Sequence, residues 1–393
     1  MVWYAQLKQV RFKNGEYYPV LINNTGKYPV LLPFLYLIVS LKGLAYNTRR
    51  NRLKAVEKLY NHFYSIELDL DELIIARNWK KIIYELDKFI NLELKQDRFL
   101  TTRLIPALSP ETINLYLQSI HDYFKWCLAR YQAPDSEFNI ESFICSYKVF
   151  IPTNKRTYKS LTPTQRERLI ELIAINSPDN PFEEKNRLRN YLIIQILLNT
   201  GLRLGELLNL RTSDLLKMVE QYYLRIVNID HKEEDSRKDQ PRLKNRYSER
   251  FVGISKQLYD LLEYYIKEKR KPFKDRRKLK ISHGFLFTSS LGKPIAKRTV
   301  ADIFHKISQN IINKSEALKK LSPHDLRHTF ADNFLEYLIE VEKKDMERAK
   351  DELRMICGWN ESSVMPAYYA SRYIARVANE HNIKRVNNTY KDF

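Results

Sequence analysis

The sequence predicts a mainly α protein with a small β-sheet, in which a helical domain precedes a mixed α/β domain. Three observations carry that expectation. Apolar residues recur at three- and four-residue spacing through Leu53, Val56, Leu59, Tyr60 and Phe63, and again through Ile113, Tyr116, Leu117, Ile120 and Phe124, which is the period of an amphipathic helix. Strand-like runs are few: Tyr222 to Ile229, Arg246 to Ser255 and the short Gly284 to Phe287. With 44% hydrophobic residues and only 9 glycines in 393, disorder and fibrous repeats are excluded, and the length suits two or three cores.

In chain order, residues 1–32 read as a small β-hairpin arm turned by Asn14-Gly15. Residues 33–150 read as a helical domain. Within it Asn47 to Arg52 opens one helix, and Ser109-Pro110-Glu111-Thr112 opens another. Arg49, Arg50 and Arg52 cluster at such a helix start, where basic groups can clamp a DNA backbone; the plain alternative is a solvated helix face. Residues 146–160 lack helical periodicity and carry Pro152 among basic residues, as an extended linker would, with a boundary near 155. Residues 151–372 form the second domain, whose first helix starts at Leu161-Thr162-Pro163-Thr164 with a Thr cap and Pro at its first position. The stretch His231 to Asp239 reads as a solvated mixed-charge loop, and 373–393 as a C-terminal tail.

The formal charge of +20 suits a polyanion, with nucleic acid the leading partner class; a ribosomal or membrane-surface protein has the same balance. Cys127, Cys145 and Cys357 are odd in number and far apart, which supplies neither a disulfide framework nor a CxxC metal pair and predicts a reducing, cytoplasmic setting. The N-terminus lacks a basic region leading into an apolar core, and the apolar run Tyr28 to Leu41 is short and interrupted by Pro29 and Pro33, so no export signal or membrane span is expected. No HExxH, Cys/His cluster or acidic trio stands out for a metal.

Two segments carry chemistry. In Ser322-Pro323-His324-Asp325-Leu326-Arg327-His328, Ser322 is a good N-cap, Pro323 fits the first helical position and Asp325 can bond back to the cap. His324 and Arg327 then share a face where free backbone N–H groups already favour an anion. In Asn199 to Leu210, Gly201 is a natural helix stop, and a new helix projects Arg203 while Leu204, Leu207, Leu208 and Leu210 bury the rest. Read alone, Arg203 and Glu206 are a surface pair worth a few tenths of a kcal/mol, roughly.

Together the two segments resemble the tyrosine recombinases, or phage integrases, whose catalytic domains carry a T-G-x-R-x-x-E-L box and a later H-x-x-R-H box. Thr200 to Leu207 and His324 to His328 match both in full. The resemblance spans roughly residues 158 to 372, including the turn Phe287 to Pro294. It implies that residues 33–150 are a core DNA-binding domain and that the two domains make a C-shaped clamp on DNA. It also implies a lysine in a hairpin after the first box. Arg242 to Val252 is similar to that hairpin and makes Lys244 the candidate, with Arg246 and Lys238 as alternatives because the spacing to Glu249-Arg250 is one residue longer. The family's Gly-His or Gly-Trp pair corresponds to Gly358-Trp359. Trp359 donates an N–H but cannot exchange a proton there.

The resemblance further implies a nucleophilic tyrosine on a short helix, and Tyr368 and Tyr369 both qualify. Spacing from Trp359 selects Tyr368; the Met-x-x-x-Tyr-Ala register and a Ser362 cap select Tyr369, which is preferred. Tyr373 reads as packing, and His328 as structural. The implied reaction is attack of the tyrosine hydroxyl on a phosphodiester to give a 3′-phosphotyrosyl bond and a free 5′-hydroxyl, without ATP, cofactor or metal. Arg203 and Arg327 would clamp the non-bridging oxygens, Lys244 would protonate the leaving oxygen, His324 would manage the nucleophile's proton and Trp359 would pack beside the phosphate. The implied partners are double-stranded DNA and further copies of the chain, a tetramer on two DNA sites. A topoisomerase, a telomere resolvase or a non-catalytic DNA-binding regulator on the same fold are the alternatives.

Overall fold

In a computed structural model the chain divides into two compact units, Met1–Arg156 and Thr157–Phe393. The structure describes residues 4–13, 15–24, 28–95, 108–131, 140–151, 160–228, 235, 237, 240–241, 243, 246–270, 273–274, 280–281, 283–312 and 321–389.

The first unit opens with β1 (Ala5–Arg11) and β2 (Tyr17–Asn23), paired antiparallel from Ala5 opposite Asn23 to Arg11 opposite Tyr17. The helices α1 (Leu31–Val39), α2 (Tyr46–Ser65), α3 (Leu70–Ile75), α4 (Trp79–Lys88), α5 (Pro110–Tyr131) and α6 (Ile140–Ser146) follow. The apolar stripe of α2 is fully buried at Leu53, Val56, Leu59, Tyr60 and Phe63. Ala5, Tyr18, Val20 and Leu21 of the hairpin join the same core, so the hairpin is a layer of the helical unit and not a separate arm. The reason is physical: two strands alone are marginal in water, and an open edge seeks partners. Here α2 supplies them, as Asn61 Oδ1 accepts from the Ala5 N–H at 2.7 Å and Glu57 Oε1 from the Leu7 N–H at 2.7 Å. Beyond α6 the start of the expected linker is tethered, because Asn114 of α5 exchanges two hydrogen bonds with the Val149 backbone at 2.7 and 2.8 Å.

The second unit is helical around a small sheet. It runs α7 (Pro163–Ile173), α8 (Glu184–Thr200), α9 (Leu204–Asn209), β3 (Leu215–Met218), β4 (Gln221–Ile226), β5 (Arg250–Ile254) and α10 (Lys256–Tyr264). Then come the short β6 (Phe273–Lys274) and β7 (Lys280–Ile281), and α11 (Lys297–Ile312), α12 (Pro323–Glu340), α13 (Met346–Ile356) and α14 (Met365–Thr389). The three-stranded sheet has order β3-β4-β5, all antiparallel. Thr162 caps α7 with a reciprocal Gln165 bond and Pro163 inside the first turn, as its sequence predicts.

Four local expectations are corrected. β3 has no sequence signature, since its turn runs through Val219 at φ 54° without the glycine or asparagine that announces a hairpin. Gly284 to Phe287 is not a strand; it makes one bridge to Arg211, with Thr212 N–H to the Gly284 carbonyl at 2.8 Å and Leu286 N–H to the Leu210 carbonyl at 2.7 Å. Within His231 to Asp239, Asp235 and Arg237 are buried rather than solvated. Arg237 forks onto Asp235 with two bonds of 2.8 Å and donates to the Leu208 carbonyl at 2.8 Å, so each charge is matched where water is excluded. Finally, the tyrosine pair sits on a continuous 25-residue helix, α14, not a short one.

Candidate active site

The first turn of α12 forms as its residues dictate: the Asp325 carboxylate accepts from the Ser322 N–H at 2.8 Å and from its hydroxyl at 2.7 Å. This fixes His324 at an exposed position and Arg327 one turn deeper, only 3% exposed. Arg327 donates through Nη1 to the Gly201 carbonyl at 2.5 Å and through Nη2 to the Cys357 carbonyl at 2.7 Å, with its guanidinium 5.3 Å from the Trp359 ring centre. Burial above all pulls its pKa below the ordinary guanidinium value; Arg203 and Arg250 add to this, while Cys357 and Glu206 oppose it. It stays a cation, held where an incoming anion is favoured.

Arg203 stands at the start of α9. Its Nη1 donates to Glu206 Oε1 at 2.6 Å and to the Ser248 hydroxyl at 3.2 Å, and its Nη2 to the Gly358 carbonyl at 2.9 Å. Glu206 is not the surface partner that sequence alone suggests. It is 2% exposed, bonds back to the Arg203 N–H at 3.0 Å and also receives Arg250 Nη2 at 3.0 Å. Burial acts to raise its pKa, but Arg250 and Arg203 outweigh that and hold it below the usual carboxylate value. Three guanidinium groups thus face one carboxylate, which leaves the site electropositive. Backbone shape makes this possible at two glycines in the left-handed region. A Cβ on Gly201 (φ 61°) would lie 2.3 Å from the Phe330 ring, and one on Gly358 (φ 60°) would lie 2.7 Å from Arg250 Nη1.

Trp359 stacks on Tyr369 with ring centres 5.6 Å apart and planes at 14°. Tyr369 is 1% exposed, and its hydroxyl lies 2.5 Å from Nδ1 of His328. Burial first, then Cys357 and Asp332, pushes the phenol pKa up. One pocket of about 660 Å³ is lined by Arg203, His324, Arg327, Trp359 and Tyr369. Tyr368 is half-buried and does not line it; the Arg372 guanidinium lies 5.5 Å from its ring centre. Tyr373 packs against the end of α12, its hydroxyl bonded to Glu340. Lys244 and its alternative Lys238 fall outside the described residues, as does the Arg246 side chain. A larger pocket of about 890 Å³ between α8, β4 and α10 holds none of the motif residues.

Sequence reasoning missed the contact of His328 with Tyr369 and the contribution of Arg250. The signal for His328 was present, since it lies four residues after His324 and so on the same helical face; their ring centres are 4.3 Å apart. In the first unit Arg49 is removed from the DNA-facing set. It is 1% exposed, donates to the Leu41 carbonyl at 3.1 Å and the Lys42 carbonyl at 2.5 Å, and lies 4.3 Å from the Tyr18 ring centre. The α2 register turns it inward while Arg50 remains exposed. Arg52 is half-buried and pairs with Asp122 at 2.9 Å. Among the described residues no cluster of three His, Cys, Asp or Glu side chains could hold a metal, and no helix is long and apolar enough to cross a membrane.

Residues 159–373, more than half of the chain, match the model of the phage integrase family. The chain belongs to the phage integrase family. Among related integrase-family proteins, tyrosine recombinase XerD of Listeria innocua is 23% identical over 308 residues, covering 77% of this chain and 84% of that protein. Tyrosine recombinase XerC of Bacillus subtilis is 22% identical over 294 residues, covering 72% and 84%. Two solved structures share the fold. The Tn1549 transposon integrase in complex with transposon right end DNA has a TM-score of 0.53 at 20% identity, over 89% of this chain and 100% of that one. The XerH site-specific recombinase bound to palindromic difH substrate has a TM-score of 0.52 at 16% identity, over 90% and 94%. The mainly helical class with small antiparallel sheets, expected from the sequence, is that of this integrase fold.

Proposed function

We propose that this chain is a site-specific tyrosine recombinase that cuts and rejoins double-stranded DNA through Tyr369. The observation that carries this reading is the single pocket in which Arg203, His324, Arg327, Trp359 and Tyr369 meet. The Tyr369 oxygen bonds to phosphorus as the bond to the 5′-oxygen breaks, leaving a 3′-phosphotyrosyl link that stores the bond energy for rejoining. Arg203 and Arg327 offset the added negative charge on the non-bridging oxygens, a task suited to forked donors held in place by backbone carbonyls. Lys244 gives a proton to the 5′-oxygen, Trp359 packs beside the phosphate, and His324 at the exposed rim exchanges the nucleophile's proton with solvent.

Arg50 and Arg52 contact the DNA backbone. The chain acts in the cytoplasm as a homotetramer on two DNA sites, consistent with an α14 that continues, largely exposed, well beyond the tyrosines. Integration or excision of a mobile element is the activity this best fits. The test is a nicked duplex carrying a candidate target site, such as a repeat found beside the gene, with the products run on a denaturing gel. A covalent protein–DNA adduct is expected with the wild type and with Tyr368→Phe, and none with Tyr369→Phe. Binding without an adduct on any cognate site would make the chain a regulator instead.

A further inference from the structure

We infer that His328 is a catalytic residue: it takes the proton from the Tyr369 hydroxyl as that oxygen attacks phosphorus. The inference rests on Tyr369 being the nucleophile. Its basis is geometric. The hydroxyl lies 2.5 Å from His328 Nδ1, and the side chains are buried to 1% and 8% exposure, so water does not compete for the contact. Trp359 holds the phenol ring from its face. His324, one turn earlier on α12, touches the His328 ring and is itself exposed at the pocket. The acceptor of the buried hydroxyl is therefore in ring contact with a histidine exposed at the pocket.

The charged and titratable groups around the phenol are consistent with transfer to His328. Arg327 and Asp332 of α12, Cys357 of the preceding turn and Arg372 of α14 act on the phenol; Asp332 is tied to Arg372 at 3.1 Å and to Ser160. Burial disfavours a resting phenolate, so the proton must leave during attack, and the base has to be in place beforehand. The step balances: the Tyr369 oxygen–phosphorus bond forms, the phosphorus–5′-oxygen bond breaks, Lys244 supplies the 5′-oxygen with a proton, and His328 Nδ1 receives that of the phenol. Rejoining runs the same transfers in reverse.

The test uses the full chain and the nicked duplex described above, with His328→Asn, His324→Asn and His328→Ala. His328→Asn is expected to lower the first-order rate of adduct formation by about 100-fold and to flatten the rise of rate with pH through the neutral range, with DNA affinity unchanged. Added imidazole should restore part of the rate to His328→Ala, and thermal unfolding run in parallel separates lost chemistry from misfolding. ¹⁵N NMR of the DNA-free protein should show the His328 ring signals moving in Tyr369→Phe. A His328→Asn rate within about threefold of wild type, where a proton acceptor is worth far more, with an unchanged pH profile, overturns the inference. So does an unmoved ring signal. An adduct that persists in Tyr369→Phe, or its absence in the wild type, defeats instead the nucleophile and recombinase readings on which the inference stands, and it falls with them.

Discussion

Replacing Glu206 by Gln keeps the side-chain shape and deletes one charge at the point where two arginines converge. The carboxylate accepts from Arg203 Nη1 at 2.6 Å, from Arg250 Nη2 at 3.0 Å and from the Arg203 N–H at 3.0 Å. An amide accepts through one oxygen only, so its NH₂ must face a guanidinium donor. Removing one partner of a buried ion pair costs about 3–5 kcal/mol. Solvent does not screen Glu206 at 2% exposure, although Ser248 and the Gly358 carbonyl still hold Arg203. A loss of about 4 kcal/mol follows. Denaturant unfolding measures it through Trp359 when Trp79 and Trp126 of the first unit and Trp3 are replaced by Phe in both wild type and variant, leaving Trp359 as the one tryptophan.

Two corollaries accompany that loss. Because the folded-state pKa of Glu206 is depressed, its stabilisation is present above the unfolded carboxylate pKa and disappears as pH falls through the folded value. Glu206→Gln should lack that acid limb. Sulfate should also stabilise the variant more than the wild type, since it binds the cations left unmatched in the folded state. A variant within about 0.5 kcal/mol of wild type, the size of an ordinary surface substitution, or one that sulfate does not selectively rescue, would refute the electrostatic account of this site.

Three further outcomes are expected. Arg49→Ala should destabilise the first unit by about 2–3 kcal/mol, the cost of leaving buried carbonyls unpaired, with no change in the salt dependence of DNA binding; Arg50→Ala should leave stability intact and reduce the log–log salt slope of binding by about one. For Asp71, burial is the main cause that raises the pKa from 3.8 to about 6; the folded state then holds its proton more tightly, so wild-type stability should fall as pH rises from about 4 through about 6 and level off above, by up to about 3 kcal/mol. Asp71→Asn should remove that slope in urea unfolding series across the same window. Gly201→Ala should cost more than the roughly 1 kcal/mol of a left-handed alanine, because the added carbon meets Phe330, and thermal denaturation should show the excess.

The site was legible as chemistry because its two boxes are local. The cap at Ser322, the helix stop at Gly201 and the three-residue offset of His324 and Arg327 are set by short-range rules that sequence states directly. The buried stripes of α2 and α5 were legible for the same reason. Sequence periodicity did not reveal that Arg49 is buried while Arg50 faces solvent, because a helix start rich in arginine has no apolar face to read. Nor did it reveal β3, whose pairing depends on β4 rather than on its own turn.

By itself, the sequence determined the helical class, the preference for a polyanionic partner and the motif residues, since composition, period and capping are read within the chain without long-range contacts. The tertiary structure decided which of two adjacent tyrosines lines the pocket, that Glu206 is a shared buried counter-ion, and that His328 touches the Tyr369 hydroxyl. Those facts join residues 41 positions apart for the Tyr369–His328 contact and 155 apart for Arg203 and Gly358. Such distances are closed only when the core brings α9, α12 and α14 together, and burial then gives each contact its energy.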